Sequence, residues 1–543
     1  MQYPLISEYV RAIQDASSNL DKLAHLVPVL DEHGEPYRSS GAFAVVFKMK
    51  DEQTGKCYAL KCFTEEQEGR TEAYHKIADE LECVDSSYIT SVKYLEKEIF
   101  VDSSCEEDEF PVLLMDWIDG ETMEGYIAEN YQDNYAMAML CYRFCKMAAW
   151  LRSQPFAHGD IKPDNIMVRP DGSLTLIDYD GMFVPAMKGQ KSPTIGTKDF
   201  SHPQRTVDDF DETIDDFALA SILLSLYAMS EDLSLFDKYG SRGRLLFADS
   251  DYLSPKDSSL MINLVDCFTT AFNHSAYLLF VRSCISMKYK EVLEKFYYVL
   301  RLWWGIEMPK LSQFHTDDFV IDEFGVKYST NGKILLSAPD NLVSYKIKDG
   351  TVFIASEAFS CNFNLEEIIF PNSLRVIGNS SFAVCSGLKR IVIPNGVQLI
   401  AKEAFVSCSN LCNVVLPDSL LVISEAAFLD CERIKSIKIP MNVLYIGKEA
   451  FSGCLDLEDI LFSNELLCIG SEAFQSCWNL SKISLPNSLV EIGEHGFLLC
   501  ELDEISISND IVFIGQGAFN GDFLDNEKLQ NKLECLFGEK IFL

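Results

Sequence analysis

Apolar residues recur every 23 positions through the second half of the chain. Phenylalanine marks each unit, with an isoleucine five positions before it and, in most units, a leucine or isoleucine six positions after it. The phenylalanines are Phe359, Phe382, Phe405, Phe428, Phe451, Phe474, Phe497 and, after 22 positions, Phe519. A unit of this length cannot bury its own apolar face, so the pattern predicts stacked repeats with a continuous core and one short strand per unit, at segments such as Ile391–Ile393.

The first half of the chain alternates strand-like and helix-like segments instead. SSGAFAVVFKMK (39–50) and CYALKCF (57–63) are short and apolar, and the hairpin-forming DEQTGK separates them. A helical extension is predicted over residues 8–26. The apolar segment Phe217–Met229 is too short to cross a bilayer and predicts a buried core helix.

Two small residue types share the period of the repeat. Glycines such as Gly378, Gly447 and Gly493 follow an isoleucine, and we expect them at turns with permissive backbone angles. Cysteine occupies one equivalent position in six units. Equivalent positions of a solenoid point the same way and make no tetrahedral pocket, so we interpret these cysteines as buried packing residues. They are Cys385, Cys408, Cys431, Cys454, Cys477 and Cys500.

Composition narrows the choice of partner and compartment. Asp and Glu number 82 against 46 Lys and Arg, for a formal net charge of −36, and no basic stripe is present to neutralise phosphates. Nucleic acid and anionic membranes are therefore excluded as principal partners. The N-terminus lacks the cationic start and apolar run of a secretory leader, so the 18 cysteines are expected to be reduced thiols in a cytoplasmic protein.

One stretch of the first half carries the residues that phosphoryl transfer needs. FAHGDIKPDNIMV (156–168) contains Asp160 and Asn165, and Asp178 follows in LTLIDYDGMFVP (174–185). The reaction needs a carboxylate beside the acceptor hydroxyl and oxygen ligands for Mg²⁺, which these three side chains supply. Lys61, within the strand CYALKCF, is suited to hold the α- and β-phosphates of a nucleotide.

These residues together resemble the protein-kinase fold over about residues 26–302. The resemblance implies Asp160 as the base, Lys162 as a contact to the γ-phosphate, and Asn165 and Asp178 as Mg²⁺ ligands. It implies a helix glutamate paired with Lys61, for which Glu72 is our choice, with Glu68 and Glu80 left open. The implied ATP contacts are Gly41, Ala44, Val46, Lys61, Glu72 and a hinge made of Met115, Asp116 and Trp117.

The kinase-like motifs depart from the usual pattern at several places. The glycine loop keeps Gly41 but has Ser39 and Ala44 in the other two glycine places, which makes close approach to phosphate harder. Gly159 stands where arginine is usual, so a phosphorylated activation segment lacks its customary partner. Asp180 replaces the glycine that normally follows the metal-binding aspartate by two positions, giving D-Y-D-G.

The resemblance leaves the substrate class open. H-G-D-x-x-x-x-N followed by I-D-x-D is also similar to aminoglycoside and choline phosphotransferases, which phosphorylate small molecules. Lys162, two residues after the base, and the segment from Gly196 to Arg205 favour a protein kinase of the Ser/Thr type. A pseudokinase scaffold is the third alternative, although the lysine, the base and the metal aspartate are all present.

The repeat unit, roughly I-G-x-x-A-F-x-x-C-x-x-L-x-x-I-x-I-P-x-S-L, resembles the BspA-like class of bacterial leucine-rich repeats. We therefore expect an α+β bilobal protein-kinase fold followed by a leucine-rich-repeat solenoid of about eight repeats, with a protein substrate or partner bound by the repeats. The expected segments are a helical extension (1–25), a kinase-like domain (26–302), a linker and repeat cap (303–330), the repeats (331–519) and a tail (520–543).

Overall fold

The computed structural model describes residues 2–305 and 319–519, except 42, 68, 242 and 509, together with residues 531, 533, 534 and 538. The chain folds as two compact units, Met1–Tyr252 and Leu253–Leu543. This boundary lies inside the segment expected to be kinase-like, so the helices that follow Tyr252 share a compact unit with the repeats. Most of the expected tail (520–543) and residues 306–318 of the expected linker lie outside the described residues.

The first unit opens with two short helices and an antiparallel sheet. Its elements are α1 (Ile6–Gln14), α2 (Ala16–Asn19), β1 (Leu26–Pro28), β2 (Arg38–Ser40), β3 (Ala44–Asp51), β4 (Cys57–Phe63), α3 (Arg70–Leu81), β5 (Val92–Phe100) and β6 (Glu109–Asp116). The strand order is β1-β3-β4-β6-β5, with β2 paired to β3. Tyr9 and Ile13, one turn apart on α1, join the core of this sheet, and the Tyr9 hydroxyl donates to the Phe63 carbonyl at 2.7 Å.

A helical lobe follows the sheet. Its elements are β7 (Glu121–Thr122), α4 (Met123–Asn130), α5 (Asn134–Leu151), β8 (Ile166–Val168), β9 (Leu174–Leu176), α6 (Asp216–Glu231), α7 (Ser234–Tyr239) and α8 (Asp249–Leu253). The predicted core helix lies within α6, whose side chains are buried almost all round. The antiparallel order β7-β8-β9 places the turn after β9 beside the loop that precedes β8, and both carry candidate site residues.

The second unit begins with three helices and continues as a solenoid. The helices are α9 (Ser259–Leu264), α10 (Ala271–Ile285) and α11 (Tyr289–Gly305). In chain order the strands are β10 (Phe319–Ile321), β11 (Lys327–Ser329), β12 (Ile334–Ser337), β13 (Ser344–Lys346), β14 (Phe353–Ile354), β15 (Glu367–Ile369), β16 (Val376–Ile377), β17 (Arg390–Val392), β18 (Leu399–Ile400), β19 (Asn413–Val415), β20 (Val422–Ile423), β21 (Ser436–Lys438), β22 (Tyr445–Ile446), β23 (Asp459–Leu461), β24 (Cys468–Ile469), β25 (Lys482–Ser484), β26 (Glu491–Ile492), β27 (Glu504–Ser506) and β28 (Phe513–Ile514).

The repeats form one long sheet from a different segment than the predicted strand. Within the described residues, β10, β11 and the even-numbered strands β12 to β28 make an eleven-stranded sheet, parallel from β12 onward. The predicted strand at Ile391–Ile393 corresponds to β17, which pairs only with β19. The two-residue strands form the continuous ladder because each pairs in register with the equivalent strand of the next repeat. In most units the paired residues are 23 positions apart, as Val376 and Leu399 are.

The phenylalanines form one stacked column through the solenoid. Successive rings from Phe359 to Phe519 have centroids 4.9 to 5.6 Å apart and planes within 8° of parallel. Every ring in the column is at most 1% exposed. The column is therefore the spine of the repeat core.

The periodic cysteines lie in the same core. Each thiol donates to the carbonyl of the phenylalanine 26 positions earlier, with Sγ–O distances of 3.1 to 3.5 Å. All six side chains are buried, and burial raises the pKa of Cys385 to about 12. A thiol with a raised pKa stays protonated, which suits a packing role.

The periodic glycines have a different cause from the one expected. Gly378, Gly447 and Gly493 are not in the left-handed region. Between residues 357 and 499 that region is occupied twice per repeat by other residues, such as Glu403 and Ser407. A Cβ at any of the three glycines would collide with the backbone of the preceding coil. Glycine is needed there because adjacent coils approach closely.

None of the helices in the described part of the chain combines the length and the apolar character needed to span a membrane.

Candidate active site

Lys61 of β4 holds two carboxylates from the turn after β9. Its Nζ lies 2.7 Å from Asp178 Oδ1 and 2.9 Å from Asp180 Oδ2, and its side chain is 8% exposed. Burial alone would lower the pKa of Lys61, but the two carboxylates outweigh it and raise that pKa. Burial raises the pKa of Asp178 and Lys61 lowers it, with a net lowering, so Lys61 and Asp178 are both charged at neutral pH.

The helix glutamate expected to pair with Lys61 is elsewhere. The Glu72 carboxylate is exposed and lies 2.5 Å from Lys76 Nζ on the same helix, α3. The hydroxyl of Tyr74, also on α3, donates to Asp180 Oδ1. The expected Lys61–Glu72 pair is thus replaced by a Lys61–Asp180–Tyr74 chain, because α3 turns Tyr74 and not Glu72 toward the lysine. Of the alternatives, Glu68 lies outside the described residues.

The backbone at Asp178 is strained in the way functional sites often are. Asp178 has φ +67°, in the left-handed region that a non-glycine residue adopts at a cost of about 1–2 kcal/mol. It follows the buried strand β9 and Ile177, whose backbone N–H donates to the Asn165 carbonyl at 2.9 Å. The strained turn directs the Asp178 carboxylate at Lys61.

Asp160 is the centre of a second group of polar side chains. Its Oδ1 accepts from the backbone N–H of Thr197 at 3.1 Å and from the Thr197 hydroxyl at 3.2 Å. Its Oδ2 lies 2.9 Å from Lys162 Nζ, and the Asn165 amide donates to its backbone carbonyl at 2.8 Å. Burial raises the pKa of Asp160, but the bonds from Lys162 outweigh it and the net pKa is lowered, so Asp160 is ionised at neutral pH.

Asp215 holds the loop that carries Asp160 through two hydrogen bonds to its backbone. The two Asp215 carboxylate oxygens accept from the backbone N–H groups of His158, at 2.5 Å, and Gly159, at 2.8 Å. The His158 ring lies 2.8 Å from the Ile177 carbonyl, which links the loop to the turn of Asp178. His158 therefore braces the site. The Asp160 carboxylate also raises the pKa of Asp178, as expected for two like charges in one site.

Gly159 has no room for the arginine usual at its position. Its φ is +84°, and a Cβ there would collide with the carbonyl oxygen of Gly181. Its own carbonyl accepts from Arg205 Nη2 at 3.1 Å, so Arg205, the last residue of the segment from Gly196 to Arg205, contacts this loop.

We expect Gly159→Ala to destabilise the first unit by about 2–5 kcal/mol, since left-handed strain and a backbone clash add together. Gly189→Ala is the matched control, because Gly189 has φ +87° with no atom within 4 Å of the added Cβ. That control should cost about 1–2 kcal/mol. Urea unfolding of both variants measures the difference, and equal costs would remove the clash as the reason for glycine.

The expected nucleotide-covering residues surround Lys61. Val46 lies directly opposite Lys61 in the β3–β4 ladder. The Gly41 N–H donates to the Ala44 carbonyl at 2.9 Å and closes the turn between β2 and β3. Met115 and Asp116 end β6, and the Trp117 N–H donates to the Cys57 carbonyl at 3.1 Å. These residues lie on β3 and β6, the two strands that flank β4, or in the turns at their ends.

The donor set fits a hard divalent cation. The Asn165 amide nitrogen is used by the Asp160 backbone carbonyl, which leaves the Asn165 carbonyl oxygen as the ligand atom of that side chain. Asp178 adds a carboxylate held ionised by Lys61. An amide oxygen and a carboxylate are ligands that Mg²⁺ takes together with phosphate oxygens.

Two family models match the chain. Residues 39–242 match the model of the protein kinase domain, and residues 351–467 and 446–542 match the model of the BspA type leucine rich repeat region in six copies. The chain therefore contains a protein kinase domain followed by a BspA-type leucine-rich-repeat solenoid. The expected fusion and fold class are confirmed.

Curated relatives match in the kinase domain. Mouse serine/threonine-protein kinase PAK 1 is 27% identical over 191 residues, covering 34% of this chain and 33% of the relative. Mouse serine/threonine-protein kinase 32C is 25% identical over 170 residues, covering 30% of this chain and 33% of the relative. The chain thus spans about a third of the length of these relatives.

Solved structures match in the repeats. A leucine-rich repeat protein from Eubacterium ventriosum is 22% identical with a TM-score of 0.32, over 34% of this chain and 50% of that one. The T. pallidum leucine rich repeat protein is 24% identical with a TM-score of 0.30, over 39% of this chain and 93% of that one.

Proposed function

We propose that the protein is a Ser/Thr protein kinase that transfers the γ-phosphoryl group of ATP to a protein hydroxyl. The observation that carries the proposal is the contact of one carboxylate, Asp160, with both Lys162 and Thr197. This ionised carboxylate acts electrostatically on Asp178, the partner of Lys61, which supports hydroxyl activation beside a phosphate site. The Ser/Thr kinase relatives support the same substrate class.

Each residue of the site has a role in this reaction. Asp160 accepts the proton of the attacking hydroxyl. Its lowered pKa keeps the carboxylate ionised, as a proton acceptor must be. Lys162 and Thr197 orient that carboxylate, and Lys162 carries positive charge toward the γ-phosphate. Lys61 binds the α- and β-phosphates. Asn165 and Asp178 would hold Mg²⁺, whose charge offsets that of the phosphate oxygens.

Asp180 takes the part of the missing helix glutamate in this proposal. A kinase lysine needs a carboxylate behind it to keep its position, and here Asp180 Oδ2 lies 2.9 Å from Lys61 Nζ. Tyr74 holds the other Asp180 oxygen. Burial and the Asp180 charge raise the pKa of Tyr74, so the tyrosine remains a donor. The aspartate in D-Y-D-G therefore compensates for the orientation of α3.

We expect Asp180→Asn to lower the rate of phosphoryl transfer by about 10–100-fold, the usual range for losing a charge-assisted hydrogen bond. The Glu72→Gln variant, measured alongside, decides between the two carboxylates and should change the rate by less than about twofold. Initial rates of ADP release give both numbers. If Glu72→Gln causes the larger loss, the helix glutamate pairs with Lys61 in the working state and our assignment is wrong.

The repeats are proposed to bind the protein substrate or a partner protein, since solenoids offer extended surfaces for such contacts. The test of the whole proposal is incubation of the full chain with Mg²⁺ and γ-labelled ATP, first with a generic protein acceptor and then with an aminoglycoside or choline. Label on protein supports a protein kinase. ATP turnover that rises only with the small acceptor would show a small-molecule phosphotransferase. Absence of both would leave a pseudokinase scaffold.

A further inference from the structure

The long repeat sheet carries a column of side chains next to helix α10 that changes from aliphatic to polar along the solenoid. The column consists of the first residues of successive two-residue strands and is aliphatic at Val376, Leu399 and Val422, where Ala271 and Phe272 of α10 pack. It then becomes polar over its next three positions, which are Tyr445, Cys468 and Glu491.

Three possible metal ligands from three elements meet in this polar stretch. They are His274 of α10, Cys468 of β24 and Glu491 of β26, with ligand atoms all within 4.8 Å of one another. Cys468 is 1% exposed, and the side chains of His274 and Glu491 are 11% and 13% exposed. A nitrogen, a sulfur and a carboxylate oxygen are the donors that Zn²⁺ takes in proteins.

The hydrogen bonds of His274 indicate a cation at this place. Its Nδ1 lies 2.9 Å from the Phe268 carbonyl, so Nδ1 carries a proton. Its Nε2 lies 2.6 Å from Glu491 Oε2. In a neutral imidazole, Nε2 would then present a lone pair to the Glu491 carboxylate. Two acceptors lie this close only when a proton or a metal ion stands between them. A backbone carbonyl on the other ring nitrogen is also the usual partner of a metal-bound histidine.

Two further observations favour a metal ion over a shared proton. Cys468, whose thiol hydrogen-bonds Glu491, supplies a soft third donor that a metal ion would use and that a proton shared by His274 and Glu491 does not. Two further carboxylates act near the cluster: Asp266 acts on His274, and Glu425 acts on the neighbouring Tyr445. A cluster surrounded by negative charge attracts a divalent cation.

We propose that His274, Cys468 and Glu491 bind one Zn²⁺ ion that ties helix α10 to the repeat sheet. Tetrahedral ligands at about 2.0–2.1 Å from zinc lie about 3.3 Å apart, so Nε2 and Oε2 separate by about 0.7 Å on binding. The thiol proton and the proton between imidazole and carboxylate leave to solvent as the metal enters. Water fills the fourth position.

The test uses the full chain, stripped of metal with a chelator and kept in a thiol-free reductant. Excess Mg²⁺ is added so that the proposed Mg²⁺ site at Asn165 and Asp178 does not take up zinc. Zinc is titrated against a chromophoric chelator, and Co²⁺ is added separately to detect thiolate ligation by its sulfur-to-cobalt absorption. We expect about one zinc ion per chain. Loss of the Cys468 or His274 ligand should weaken binding by more than about 100-fold, since even loss of a group behind a ligand costs about 10–100-fold.

The variants are Cys468→Ser, His274→Ala and the isosteric Glu491→Gln, with Cys454→Ser as the control, a buried cysteine of the repeat core outside this cluster. The cobalt–thiolate band should persist in Cys454→Ser and vanish in Cys468→Ser. Stripped wild-type protein that binds no zinc would overturn the proposal and leave a protonated His274–Glu491 pair. Equal zinc affinity in Cys468→Ser and wild type would overturn it too.

Discussion

Replacing Asp160 by asparagine is expected to lower the rate of phosphoryl transfer by about 10²–10⁴-fold, the range for loss of a general base. Asparagine keeps the size of the side chain and can still accept from Thr197 at Oδ1, so the loop should retain its position. What the variant loses is the negative charge that draws the hydroxyl proton and pairs with Lys162. Transfer of label from γ-labelled ATP to protein, measured under saturating ATP, gives the ratio.

The control for Asp160→Asn is the same substitution at Asp171, in the exposed turn between β8 and β9. That carboxylate accepts from the backbone N–H and hydroxyl of Ser173 and contacts no site residue among those described. Its variant should keep wild-type activity. ATP affinity should also be unchanged in Asp160→Asn, because the proposed role of Asp160 is to contact the acceptor hydroxyl and not ATP. Undiminished labelling in Asp160→Asn would show that another group takes the proton and would reject the proposed base.

That the candidate catalytic groups lie together could be predicted from sequence because their spacing within one loop is short. Asp160, Lys162 and Asn165 lie within six positions, and the structure brings them into mutual contact. The partner of Lys61 could not be predicted in this way. Glu72 and Tyr74 are two positions apart and so lie on different faces of α3, and only the rotation of that helix decides which one reaches the lysine.

Asp180 was visible in the sequence only as a departure from a motif. A second carboxylate two residues after Asp178 could face solvent, metal or lysine, and local pattern does not distinguish these. Its contact with Lys61 and Tyr74 depends on the strained turn at Asp178 and on α3 together. One signal in the sequence could have indicated the role of Asp180. The motif gains a carboxylate at Asp180, and at the same time no single helix glutamate stands out as the partner of Lys61.

The repeats were predictable because one residue type marks each coil, whereas the helix that packs on them was not. The phenylalanine period reports on contacts between neighbouring coils, which are local in sequence. Helices α10 and α11 fall in the segment predicted to be kinase-like. Phe272 of α10 nevertheless packs on Leu399 and Val422, more than a hundred residues later. Apolar periodicity shows that a helix has a buried face and does not show which element covers it.

Truncating one ring of the phenylalanine column should be the most destabilising single change in the solenoid. Phe428 stacks between Phe405 and Phe451, each with a centroid separation of 5.3 Å and an interplanar angle of 5°. It is fully buried, and a coil on either side cannot collapse into the gap because both are held by their own backbone ladders. We expect Phe428→Ala to cost about 3–5 kcal/mol.

The matched control is Phe363→Ala, since Phe363 is 57% exposed in the same array and its removal should cost no more than about 0.5 kcal/mol. Native-state hydrogen exchange on peptides from β18 to β24 measures the local free energy of opening. A solenoid is stabilised by its nearest-neighbour interfaces, so the loss from Phe428→Ala should be concentrated in the coils of Phe405 and Phe451. A loss as small as that of Phe363→Ala would mean that the leucine and cysteine columns carry the core without the stacked rings.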